Sequence, residues 1–290
     1  MEEHLSFWAS FMHEAWIRDA VIVAMLAGAV CAYVGVFIVL KRMVFVSAAL
    51  SSMSGVGVAS AFYLASVFGV APHEAPLWLD PRLFALLFAA IGAIFFSFNL
   101  GHRRISGETA IGLGYVIASA LVIVILNSPR VQQEAHEIND LLYGNVVAVS
   151  TAQVWVTFAT VSVVMLIHGL FRKEFVFVTF DLEMARTLGY RTRAWSIGLF
   201  LTFALAVSVT TQAIGALPVF AFMIIPPAAA LLLVSRLWAA FALAVFIGAF
   251  SGAFGYYLSW VFSWPGGPSM VVAAAIWLIP GLIRLALRRN

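Results

Sequence analysis

The sequence predicts an all-α polytopic membrane protein, with about 8–9 transmembrane helices and a short cytoplasmic helix between two of them. Composition is the first observation. Of 290 residues 63% are hydrophobic and 10% charged, with a mean hydropathy of +1.04. Soluble domains run at roughly 45–50% apolar and about 25% charged, so this composition cannot furnish a soluble surface. The second is run length. The apolar stretches approach the roughly 20 residues that carry a helix across hydrocarbon, and few segments alternate as barrel strands do. The third is that Lys and Arg collect on alternate connections, as orientation in a membrane requires.

Residues 1–16 set Leu5, Phe7, Trp8, Phe11, Met12 and Trp16 among Glu2, Glu3, His13 and Glu14. This pattern predicts an amphipathic segment lying in the interface. The segment lacks the basic start of a cleavable signal peptide, so residue 1 is taken as mature. Spans are predicted at 18–40, 44–69, 82–100, 109–127, 152–171, 194–212, 214–234, 237–262 and 268–286. Almost nothing separates 194–212 from 214–234. An eight-span count, with part of 213–234 broken or re-entrant, is the alternative. Pro226 and Pro227 remove backbone donors inside the seventh span and mark a kink or hinge there.

With these spans, Lys41, Arg42, Arg103, Arg104, Arg172, Lys173, Arg186, Arg191, Arg193, Arg236, Arg284, Arg288 and Arg289 fall on one side, and only Arg18, Arg82 and Arg130 on the other. Thirteen of the 16 basic residues make the first side cytoplasmic, together with the C-terminus. The other face gathers Glu2, Glu3, Glu14, Asp19, Glu74, Asp80, Glu134, Glu137 and Asp140. Such a rim either concentrates cations or is simply tolerated. The basic balance comes from membrane-flanking arginines and implies no nucleic-acid partner.

The polar segment 177–193 lies between two spans on the cytoplasmic side. Asp181 is placed to cap a short helix that ends at Gly189. Phe180, Met184 and Leu188 recur at i, i+4, i+8 and form a face suited to docking; a solvated loop is the plainer reading. On the outer side, Glu134, His136, Glu137 and Asp140 in segment 128–150 are weak candidates for metal ligands, since His136 with Asp140 and Glu137 with Asp140 have helical spacing.

Much chemistry is absent. The two lysines, Lys41 and Lys173, follow no Gly-rich phosphate loop, so the chain is expected to bind no ATP itself. The single cysteine, Cys31, excludes an intrachain disulfide and a Cys-based zinc framework. No Asp, Glu, Lys or Arg lies deep in a predicted span, where self-powered carriers and intramembrane enzymes need them. Polar content at depth is hydroxyl and sulfur: Ser47, Ser51, Ser52, Met53 and Ser54 in the second span, and Ser208, Thr210, Thr211 and Gln212 late in the sixth. Small residues of this kind allow close helix packing; alternatively Ser51, Ser52 and Met53 line a pathway.

Several stretches resemble one family. Tyr33-Val-Gly-Val-Phe-Ile-Val-Leu-Lys-Arg-Met-Val-Phe45, Leu142-Tyr-Gly-Asn145, Phe180-Asp-Leu-Glu-Met-Ala-Arg-Thr-Leu-Gly189, Gln212-Ala-Ile-Gly-Ala-Leu-Pro-Val-Phe-Ala-Phe-Met-Ile-Ile-Pro-Pro-Ala-Ala-Ala230 and Pro268-Ser269 resemble, in order, segments of the permease subunits of zinc/manganese ABC importers. The resemblance spans roughly residues 20–286. It implies one permease domain over 1–290 in a bacterial cytoplasmic membrane. It also implies a homodimer, two cytoplasmic ATPase subunits that hold ATP and magnesium, and an extracytoplasmic binding protein. By the same resemblance 177–193 is the segment that engages the ATPase, through Phe180, Asp181, Glu183, Ala185, Leu188 and Gly189.

One departure stands out. Where the family carries an acid and a histidine at i, i+4 near the start of the second span, this chain has Ala48 and Ser52. Hydroxyls and thioethers are poor ligands for Zn²⁺ or Mn²⁺. The resemblance therefore leaves three functions open: import of a divalent metal, import of a chelate or small organic molecule on the same fold, or a scaffold or sensor that moves nothing. A stand-alone channel fits less well, because no selective ring of charges or carbonyls is evident.

Overall fold

In the computed structural model, the described residues are Phe11, 13–69, 76–98, 106–129, Val131 and 149–289. Twelve α-helices are described: α1 Ala15–Leu40, α2 Val46–Phe68, α3 Pro81–Ser97, α4 Gly107–Leu126, α5 Thr151–Leu170, α6 Arg172–Phe180, α7 Leu182–Thr187, α8 Thr192–Ile214, α9 Ala216–Leu233, α10 Leu237–Phe262, α11 Gly266–Ala275 and α12 Leu278–Arg289. Among the described residues eight spans are long and apolar enough to cross a membrane, α11 and α12 counting as one, and the apolar α3, of 17 residues, is shorter.

The helix ends follow from local chemistry. Asp80 caps α3, its Oδ1 accepting from the Arg82 N–H at 2.7 Å with Pro81 in the first helical position. Ser106 caps α4 through the Thr109 N–H at 3.1 Å. Gly69 ends α2 at φ 66, a conformation that costs glycine nothing.

The pair predicted at 194–212 and 214–234 is two full helices, α8 and α9, turned at Gly215 with φ 91. Helix α9 runs unbroken through Pro226 and Pro227, so the alternative of a broken or re-entrant segment does not hold. The break comes instead in the last predicted span, 268–286, which divides into α11 and α12 at Ile276–Trp277. Pro280 explains it. A proline cannot donate to the carbonyl four residues back and crowds it, and that carbonyl belongs to Ile276. It accepts instead from the Ile279 N–H at 3.2 Å, a tighter three-residue turn.

The residues gather into two compact units. One comprises 1–39, 144–163 and 213–290. Within it α9 packs on α10, α11 and α12. Lipid tails are as apolar as leucine, so the helices associate by close packing more than by a hydrophobic drive. Gly28 on α1 and Gly248 on α10 meet backbone to backbone: a methyl group at either would overlap the other's carbonyl. Tyr33 and Phe37 of α1 stack around Phe241 of α10, with ring centroids 5.1 and 4.9 Å away. At the start of α1, Asp19 accepts from the Thr151 hydroxyl at 2.6 Å.

The other unit comprises 40–143 and 164–212. Helix α2 is its centre and packs on α3 and α4. Gly57 lets α2 approach the α3 backbone at Phe84. Val58 and Phe62 form a buried cluster with Ala85 and Val131.

Candidate functional site

The residues proposed from sequence to line a pathway lie one after another on α2, and consecutive helical residues point about 100° apart. Ser51 is buried, its hydroxyl 3.2 Å from that of Thr211 on α8. Ser52, only partly buried, shares a 3.0 Å hydrogen bond with Ser119 on α4. Met53 leans toward α3, where a methyl group on Gly92 would stand 3.1 Å from Met53 Cγ. The three side chains thus face three different helices and do not converge on one space. Ala48 and Ser52, four residues apart, share one partly open face of α2 with Ser119 opposite.

The remaining hydroxyls join helices. Ser54 and Ser208, both buried, pair at 3.1 Å, so α2 and α8 are linked by two hydroxyl pairs one turn apart. Thr210 returns its proton to the Ala206 carbonyl at 2.6 Å and Gln212 to that of Ser208 at 3.1 Å. Packing accounts for this cluster.

Segment 177–193 folds much as its pattern predicts. Asp181 Oδ1 accepts from the Met184 N–H at 2.8 Å and caps α7. The helix closes with two bonds, Tyr190 N–H to the Ala185 carbonyl and Gly189 N–H to the Arg186 carbonyl, both at 3.1 Å, around Gly189 at φ 82. This is the Schellman arrangement, which calls for glycine at that position. Ala185 is fully buried beneath the helix. Phe180, Met184 and Leu188 are 59%, 54% and 60% exposed and have no cover among the described residues. The extended turn at Asp181 leaves Phe180 at the end of α6, however, so the three do not share the single helix face that their spacing predicts. The sequence pattern does not separate α6, which precedes α7 and turns into it at Asp181. Helix α6 is anchored by Phe175, buried between His168, Phe171 and Trp195.

Three further residues went unmarked as site residues in the sequence. His168, buried in α5, has Nε2 2.9 Å from Thr202 Oγ1. Thr202 gives its own proton to the Leu199 carbonyl at 2.7 Å; with that proton committed, His168 Nε2 is the donor. Lys41 Nζ donates to the Val178 carbonyl at 3.4 Å, and burial pushes the Lys41 ammonium below its usual pKa. Glu108 Oε1 accepts from the Val44 N–H at 3.1 Å.

A cavity of about 480 Å³ lies among α5, α6 and α8, lined by Phe171, Phe175, Trp195, Leu201, Thr202 and Arg191 among others. It is almost wholly apolar and contains none of the predicted pathway residues, so volume and polar chemistry do not coincide here. Among the described residues, no three His, Cys, Asp or Glu side chains gather to hold a metal ion. Glu134, His136, Glu137 and Asp140 lie outside the described residues, as do Leu142–Asn145 and most of residues 1–16.

Comparison with known proteins places this architecture. The chain is 29% identical over 270 residues to the manganese transport system membrane protein MntC of Listeria monocytogenes, covering 93% of this chain and 91% of the relative. It is 25% identical over 261 residues to the manganese import system permease protein ScaB of Streptococcus gordonii, covering 90% and 88%. Among solved structures, PsaBC from Streptococcus pneumoniae in complex with Fab superposes with a TM-score of 0.79 at 26% identity, over 97% of this chain and 94% of that one. The model of the ABC 3 transport family matches residues 13–284. A multi-pass helical membrane protein matched over that range belongs to the ABC 3 transport family.

Proposed function

We propose that this chain is the membrane subunit of an ABC importer that moves a divalent metal ion, manganese or zinc, inward across a bacterial cytoplasmic membrane. A separate ATPase drives it. The observation that carries the reading is the capped helix α7 with Met184 and Leu188 exposed and Phe180 exposed at the adjoining end of α6, on a chain whose relatives are named for manganese transport. A short helix with a fixed start, a fixed end and an open apolar face suits insertion into a groove of a partner protein.

In this reading two copies of the chain enclose the pathway and two cytoplasmic ATPase subunits bind ATP and magnesium. A binding protein delivers cargo from outside, and the C-terminus is cytoplasmic, as the distribution of Lys and Arg supports. Asp181 and Gly189 hold α7 in shape; Glu183 is exposed beside the apolar face; Ala185 seats the helix on the membrane domain. Pro226 and Pro227 are the hinge candidates of α9.

One observation favours a second reading of the cargo. Among the described residues, the face carrying Ala48 and Ser52 offers hydroxyls and no carboxylate or imidazole. An ion stripped of water would find no adequate ligand there, so it would pass hydrated or as a chelate. The test is ATP-driven uptake into proteoliposomes containing the permease, its ATPase and its binding protein, with Mn, Fe, Co, Ni, Cu and Zn read by elemental analysis. Uptake of Mn or Zn supports metal import. ATP hydrolysis without uptake of any free metal, followed by uptake of a chelate, supports the second reading. No uptake of either sinks both.

A further inference from the structure

We infer that Lys41 is a positioning residue that ties the α6–α7 corner to the start of α2, so that movement of α7 is passed to the face carrying Ala48 and Ser52. This rests on the ATPase-coupled reading above.

The connection between α1 and α2 is five residues long, Lys41 to Phe45, and is held at both ends. At its start, the Lys41 ammonium donates to the carbonyl of Val178 at 3.4 Å. That carbonyl needs a donor. It belongs to the last turn of α6, and the residue four positions on, Leu182, opens a new helix after the turn at Asp181, so the regular helical bond is missing. A cation at a helix C-terminus also meets the negative end of the helix dipole. Because Lys41 is half-buried, water screens this contact less than it would at a surface.

At the other end, the Val44 N–H donates to Glu108 in the first turn of α4 at 3.1 Å. Arg42 between them sits at φ 57, a region that non-glycine residues rarely occupy. A short connection fixed by two bonds and one unusual dihedral does not absorb displacement well. Helix α2 begins at Val46, and at 1.5 Å per residue Ser52 is only about 9 Å further along its axis. On the other side of the contact, Asp181 is three residues beyond Val178 and caps α7. One side chain therefore stands between the exposed docking helix and the pathway helix. The only other lysine, Lys173, is exposed on α6 itself and cannot substitute for it.

The test uses the whole complex in proteoliposomes, with ATP hydrolysis and uptake read on the same vesicles. Lys41→Met keeps the length of the side chain and removes the donor; Lys41→Arg restores charge and donor. The expected result is that Lys41→Met hydrolyses ATP but moves about tenfold less cargo per ATP, within the usual range of coupling between sites, and that Lys41→Arg recovers most of the loss. Equal cargo per ATP in Lys41→Met overturns the proposal, and so does loss of assembly with hydrolysis in both Lys41→Met and Lys41→Gln, which would make the residue merely structural.

A second readout does not require transport. Val67→Cys near the far end of α2, in a Cys31→Ala background, is labelled with a maleimide with and without ATP. An ATP-dependent change in labelling rate that Lys41→Met abolishes and Lys41→Arg restores supports the link, even if no cargo moves and the proposed function falls. A change that survives Lys41→Met, or no change when Lys41 is intact, refutes it.

Discussion

The carbonyl of Met223 lies against the Cα of Gly35, so closely that a methyl group on Gly35 would overlap it. That carbonyl is the one Pro227 deprives of its donor, since Pro227 stands four residues beyond Met223 in α9 and carries no N–H. A glycine Cα–H facing a carbonyl is a weak hydrogen bond, and here it meets a backbone group that lipid could not satisfy. The proline and the glycine on a neighbouring helix of the same unit form one joint. Gly35→Ala is expected to destabilise the protein by about 1–3 kcal/mol, the usual cost of overpacking. Pro227→Ala, which restores a donor to Met223, is expected to change stability much less. Thermal unfolding in detergent compares the two, and equal effects would refute the joint.

Ser52 and Ser119 make the complementary prediction on α2. Ala48→Asp with Ser52→His places a carboxylate and an imidazole on one helix face. The double variant is expected to retain Zn²⁺ or Mn²⁺ after desalting while the parent does not, read by elemental analysis per mole of protein. If neither single change binds and the double variant also does not, the Ala48–Ser52 face is not open to an ion.

Helix α7 can be loosened without touching its docking face. Asp181→Ala removes the cap, at about 1 kcal/mol. Gly189→Ala forces a side chain into a left-handed conformation, at about 1–2 kcal/mol. Both are expected to speed amide exchange across Leu182–Thr187 and to weaken co-purification of the ATPase. Changing Phe180, Met184 and Leu188 together to Ser should abolish co-purification and leave the thermal transition of the membrane helices in place. Retention of the ATPase by that triple variant would move docking elsewhere.

The hydroxyl pairs between α2 and α8 should be modest. A double-mutant cycle on Ser54→Ala and Ser208→Ala is expected to give a coupling of about 0.6 kcal/mol, the average for such bonds within membranes. A coupling several times larger would mean that the pair does more than pack the two helices.

Most of the architecture was legible from hydropathy, because crossing lipid demands runs that the sequence cannot hide. Segment 237–262 coincides with α10. The ends of α7 were legible because a capping aspartate and a terminal glycine are local chemistry. The division of the last span was not read, although Pro280 signals it: within so apolar a run the missing N–H at Pro280 is easily overlooked beside the more conspicuous pair at Pro226 and Pro227. The directions of Ser51, Ser52 and Met53 could not be read as one lining either, since sequence gives their neighbourhood on α2 while the packing of α8, α4 and α3 decides what each one meets. Lys41 read as one topological charge among thirteen; only the fold brings it to a carbonyl 137 positions away.

The contact between Gly28 and Gly248 has a consequence for where motion can occur. Two helices separated by side chains can slide, because rotamers flip and let ridges pass one another. Two helices whose backbones touch have no such bearings. At that crossing α1 and α10 are expected to travel together, like planks pinned at one point, and Gly252 against the Ala24 carbonyl one turn away is a second close contact that resists pivoting. In any alternation of the protein this pair is expected to move as ballast, with the flexing in connections that keep side chains between their helices.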